Sequence, residues 1–86
     1  MMVEFFFTNG CGRCADERLA LRRAAEALIP NLDWRDVDVV VELDHAVALG
    51  VLTLPALAID GELVFSGLPS ERRWRQELCR RTAVRP

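Results

Sequence analysis

Apolar residues come in short bursts along this 86-residue chain, and the spacing within each burst predicts a different element. The run Val3-Glu4-Phe5-Phe6-Phe7 sends aromatic side chains both ways along an extended backbone, as in a strand buried on both faces. Thr8-Asn9-Gly10 breaks it. Cys11 or Gly12 then opens a helix running to about Leu28, where Pro30 and Asn31 stop it. At 100° per residue, Cys14, Leu21, Ala24, Ala25 and Leu28 share one face, with Arg18, Arg22, Arg23 and Glu26 away from its centre. From Asp33 to Val39 the polar and apolar positions alternate through Trp34, Val37 and Val39, the period of a half-buried strand. A short helix follows over Val41 to Leu49, closed by Gly50.

Two short strands, Leu57 to Ile59 and Leu63 to Phe65, flank Asp60-Gly61, a strong two-residue hairpin signal. Ser66-Gly67-Leu68-Pro69 is a turn, and Ser70 can cap a last helix carrying Trp74 and Leu78. The order is β-α-β-α-β-β-α. A first β-α-β unit requires a right-handed crossover and two parallel strands, and the hairpin extends the sheet antiparallel. The expected fold class is α/β, a four-stranded mixed sheet with flanking helices, in one domain spanning residues 1–86.

Composition narrows the function. The chain is 51 % hydrophobic and 28 % charged with net charge −2, which argues against a general nucleic-acid binder. Asp and Glu interrupt every hydrophobic run well short of the ~18 residues of a membrane span. Three cysteines, an odd number, do not make a secreted disulfide framework, and the N-terminus lacks the features of a signal peptide. A monomer in the cytoplasm, where thiols stay reduced, is the expectation, and in that setting a CxxC is more often catalytic or metal-binding than structural.

Cys11-Gly12-Arg13-Cys14 is that motif, set where the first strand gives way to the first helix. Free backbone N–H groups and the positive end of a helix dipole stabilise a thiolate there. Arg13 adds a positive charge, so the Cys11 thiol should titrate below the usual ~8.5. The helical wheel puts Cys14 on the apolar face and Cys11 about 60° round toward the rim. Cys11 should therefore attack a disulfide, and sheltered Cys14 should resolve the mixed disulfide. A zinc or iron–sulfur site needs further ligands, and Cys79 and His45 are the only spare soft ones.

The segment "TLPALAIDGELVFSG", residues 53 to 67, taken with the CxxC, resembles the small thioredoxin-fold redoxins of the thioredoxin-like and glutaredoxin-like group. The resemblance covers nearly the whole chain. It implies that Pro55 begins the third strand behind a cis Leu54–Pro55 bond and faces the active-site cysteines. X-Pro bonds prefer trans by only ~0.5–1 kcal/mol, so a fold can impose cis. It also implies that the backbone of Thr53 and Leu54 pairs with an extended substrate. Ser66-Gly67-Leu68-Pro69-Ser70 is similar to the matching turn of glutaredoxin-like hydrogen donors, which adds Gly67 to the substrate-facing set with Gly12 and Arg13.

Departures refine this picture. Gly10 stands where thioredoxins carry tryptophan, Phe5 where they bury an acid, and Ser66-Gly67 where glutaredoxins carry two glycines. The resemblance thus implies a reducer of protein disulfides with no organic cofactor or metal. Its reductant would be a dithiol partner such as a thioredoxin-reductase-like flavoenzyme, ahead of glutathione. The rival is a redoxin fold kept as a binding or metal-delivery module. Of the remaining residues, Glu17 is expected to pair with Arg13 or to accept a proton, and His45 to be solvated. Cys79 should be a partly exposed filler, Trp34 and Trp74 packing residues, and the arginines between 72 and 81 a solvated face.

Overall fold

The structure is a computed structural model, described here over residues 1–9 and 14–83. Strand β1 (Met2–Phe7) leads to helix α1 (Cys14–Leu28), strand β2 (Asp33–Asp38) and helix α2 (Leu43–Leu49). Strands β3 (Ala56–Ile59) and β4 (Glu62–Ser66) and helix α3 (Glu71–Ala83) complete the order anticipated from the sequence. The sheet runs β2-β1-β3-β4. β1 lies parallel to β2 and antiparallel to β3, and β3 is antiparallel to β4.

Alternation along β1 divides the core in two. Val3 and Phe5 face α1 and α3, where they meet Leu21, Ala24, Ala25, Trp74 and Leu78. Phe6 faces the other way, onto Val37, Ala56, Ala58 and Ala46 of α2. Each fully buried large side chain contributes about 1.5–3 kcal/mol, so the α1/α3 side, with Phe5, Trp74, Leu57 and Leu78, supplies most of the burial energy. Trp74 anchors that layer. Its ring lies edge-on to Trp34 and Phe65, and its Nε1–H donates to the Leu21 carbonyl of α1 at 2.9 Å. Both tryptophans are thus packing residues.

Local chemistry fixes the joints. Gly50 adopts φ +84°, and its N–H and that of Val51 return to the carbonyls of Val47 and Ala46, a two-bond C-terminal cap on α2. Asp60 and Gly61 both take positive φ, the requirement of a tight primed hairpin turn. Asp60 also clasps the start of β1: its N–H donates to the Met2 carbonyl and its carboxylate accepts the Met2 N–H, each at 2.8 Å. The Ser70 hydroxyl accepts the Arg73 N–H and caps α3.

Element ends differ from the sequence expectation for visible reasons. Helix α2 starts at Leu43 rather than Val41, because the N–H groups of Val41 and Glu42 turn back to the Asp38 carbonyl. A bulge at Val64 lets Leu57 face Phe65 while Ala58 faces Leu63. On α3, Glu77 ties to Arg80 and Arg81, and Arg81 crosses to Glu62 of β4. Hydrogen bonding from Arg80 holds the Glu77 carboxyl below its ordinary range, aided by Arg81 and opposed by burial.

Candidate active site

Three strand ends converge where β1 hands over to α1. β1 finishes at Phe7, and α1 is described from Cys14 onward. Phe6 pairs with Ala56, and Ala56 with Ser66. Pro55 directly precedes Ala56, at the end of the sheet where Phe7 follows Phe6 and Gly67 follows Ser66. The Leu54–Pro55 peptide bond is cis. Thr53 and Leu54 are exposed beside it, and Gly67, at φ +116°, leaves β4 on the far side.

Cys11, Gly12 and Arg13, together with the expected start of the helix at Cys11 or Gly12, lie outside the described residues. So does the Arg13 partner expected for Glu17. The dipole of α1 favours negative charge at this terminus, but Asp16 and Glu17 occupy its first turn and draw on the same field. Cys79, expected to be partly exposed, is an exposed thiol on α3.

One polar cluster departs from the sequence expectation. His45 is not simply solvated: its Nε2 lies 2.7 Å from Oε2 of Glu4, a carboxylate on β1 that is 1 % exposed. Arg35 of β2 approaches the same oxygen at 3.5 Å and reaches Glu42 at 3.7 Å. Glu4 Oε1 has no hydrogen-bond partner among the described residues. The cluster lies on the α2 face of the sheet, opposite α1, because Glu4 alternates with Phe5. A glutamate inside a strand buried on both faces demands such a partner. That was the available signal, though nothing local pointed to a histidine 41 residues away.

Two hollows flank these features. A shallow groove of about 120 Å³ opens between α2 and the segment leading to Pro55. A larger one, about 450 Å³, lies at the other end of the sheet beside Met1, Ile29 and Arg81. It carries no thiol and sits far from the convergence of strand ends, so size does not identify the site.

Comparison with known proteins agrees with this geometry. A family model described as "Thioredoxin domain" matches residues 1–78. A probable thioredoxin of Methanothermobacter thermautotrophicus is 29 % identical over 76 residues, covering 88 % of this chain and 85 % of that protein. Thioredoxin 1 of Thermosipho africanus superposes with a TM-score of 0.80 at 18 % identity, over 98 % of this chain and 97 % of the other. Fasciola hepatica thioredoxin gives 0.70 at 28 % identity, over 92 % and 78 %. Family and fold together support a thiol–disulfide redox function in general terms. The chain belongs to the thioredoxin-domain family.

Proposed function

We propose that this protein is a thiol–disulfide oxidoreductase that reduces protein disulfides through Cys11 and Cys14. The observation that carries the reading is Cys11-Gly12-Arg13-Cys14 at the β1–α1 junction of a thioredoxin-domain chain. The Cys11 thiolate attacks one sulfur of the substrate disulfide, forming a mixed disulfide and expelling the other sulfur as a thiolate that takes up a proton. Cys14, losing its own proton, then attacks the Cys11 sulfur. The second substrate thiol leaves, and two electrons have passed to the substrate as the Cys11–Cys14 disulfide forms. A dithiol reductase of the flavoenzyme class returns the pair to the reduced state in the cytoplasm, with glutathione the second choice as donor.

In this mechanism Pro55 and Gly67 border the reacting sulfurs, while Thr53 and Leu54 offer backbone groups to an extended substrate and Gly12 and Arg13 line its approach. Reduction of insulin disulfides, followed as turbidity with a supplied dithiol reductant, tests the reading. Catalysis by the native chain and its loss in Cys11→Ser are expected. A native chain no faster than the reductant alone would leave the fold as a binding module.

A further inference from the structure

Helix α2 is tied to the sheet at few points. Ala46 is its one buried residue, and it brings a single methyl to the cluster of Phe6, Val37, Ala56 and Ala58. Next to it, His45 supplies the second tie, with Nε2 2.7 Å from Oε2 of buried Glu4 on β1. The third, Glu42 to Arg35 at 3.7 Å, is open to solvent. A lone methyl is a weak anchor, whereas a charged hydrogen bond to a carboxylate is among the stronger ones. Burial sharpens the dependence. Glu4 Oε1 has no partner among the described residues, so the carboxylate is satisfied through Oε2, by His45 and more distantly by Arg35.

The same tie sets the roll of the helix. Leu43 and Val47, four residues apart, form an apolar stripe along the groove beside α2 and are 58 % and 66 % exposed. Burying them would favour a roll toward the sheet, and His45 on Glu4 fixes the stripe outward against that pull. The far end of α2 passes its position on. The N–H groups of Gly50 and Val51 donate to the carbonyls of Val47 and Ala46, both at 3.0 Å, and Leu54 and Pro55 follow a few residues later. Glu4 itself sits on the strand that leads into Cys11 and Cys14. The contact thus joins the two arms of the candidate site.

His45 is the chain's one histidine, and imidazole is the side chain whose charge ordinarily changes between about pH 5 and 8. Glu4 of β1 and Arg35 of β2 face it, with Asp33 one alternation beyond Arg35. Glu42 and Asp44 belong to its own helix and cap, while β3 and β4 bring only Ala56, Ala58 and Leu63 to this face. We propose that Glu4 and His45 form a proton-operated clamp, which makes His45 a positioning residue for the segment 53–55 that receives the disulfide partner. The role in the reaction rests on the redox reading. With the imidazole charged, the ion pair holds α2 in place. Loss of the proton leaves a neutral hydrogen bond, α2 is freer to roll, and the segment leading to Pro55 shifts with it.

NMR of the full reduced chain between about pH 5 and 8.5 follows the His45 ring and the Leu54 amide together. Leu54 should move with the midpoint of the ring. In Glu4→Gln the ring still titrates and Leu54 should stop responding. His45→Gln, which keeps a neutral donor, should abolish the response as well. For insulin reduction, the KM of His45→Gln relative to the native chain should fall from about threefold or more below the ring's midpoint to about one above it, because the thiols titrate alike in both. A ring that titrates without Leu54, a response that survives in either variant, or a KM ratio constant with pH would overturn the proposal. If Leu54 follows the ring but insulin is not reduced, the mechanical link stands and the redox reading falls. If insulin is reduced while Leu54 ignores the ring, the clamp falls and the redox reading stands.

Discussion

Breaking the contact between Glu4 and His45 exposes the energetics of the α2 face most directly. Glu4 is 1 % exposed, and one of its oxygens has no hydrogen-bond partner among the described residues, so its charge depends on His45 at 2.7 Å and Arg35 at 3.5 Å. Removing one partner of a fully buried ion pair typically costs about 3–5 kcal/mol. Here Arg35 remains in place and both partner side chains border solvent, which lowers the expected cost of His45→Leu to about 1–3 kcal/mol. Glu4→Leu alone should cost less, because it leaves no buried charge behind. The double variant should recover much of the loss, since an apolar pair of similar volume can replace a buried ionic one and the Phe6 ring already lies against His45. Urea denaturation of the four proteins measures this as shifts in midpoint at constant slope. A coupling of about 1–3 kcal/mol is expected between the two sites. Effects that add within about 0.5 kcal/mol would show that the two side chains do not stabilise one another, and the account of the cluster would fail.

Cys14→Ser, in a Cys79→Ser background that removes the exposed third thiol, should accumulate mixed disulfides on non-reducing gels. Cys11→Ser should not, and equal trapping by both would remove Cys11 as the nucleophile. Trp74→Phe deletes the donor to the Leu21 carbonyl and part of a fully buried ring, and should lower stability by about 1–3 kcal/mol with an altered near-ultraviolet dichroism; unchanged thermal unfolding would refute that role. Glu77 has its folded pKa depressed chiefly by Arg80, so the stability it contributes is complete above the ordinary value of 4.5 and is lost as pH falls through the lower folded value. Acid titration of unfolding should therefore be flatter below pH 4.5 in Glu77→Gln, and an unchanged slope would contradict the ion network on α3.

What the sequence made legible was whatever depends on neighbours. Asp60-Gly61, Gly50 and Ser70 each announce a joint through residues one to four positions away, and the structure forms all three. The crossover rule then leaves little freedom in the order of strands. Pairings across the sheet were not legible. Glu4 and His45 meet only because β1 and α2 are brought together by the whole β-α-β unit, and no local pattern encodes that distance. Small residues misled for a related reason. Ala56 opens β3 although alanine is poor in strands, and there it is paired with Phe6 and buried in one cluster with Phe6, Val37, Ala46 and Ala58. Of the candidate site, the motif and the proline segment could be read directly, whereas the apolar groove arises only once α2 is seen to turn its stripe outward.

The β2-β1-β3-β4 order leaves two open borders, and both are built to refuse company. Asp33, Arg35, Asp36 and Asp38 put a charge at four of the six positions of β2, so a second β2 laid against it would meet its own charges. β4 carries the Val64 bulge, with Arg81 drawn across to Glu62 and Arg73 over the Phe65 ring. An extended chain therefore finds no smooth, uncharged ladder on which to add itself. A molecule with an apolar groove fixed outward needs such borders. They deny an extended segment a template for edge-to-edge aggregation.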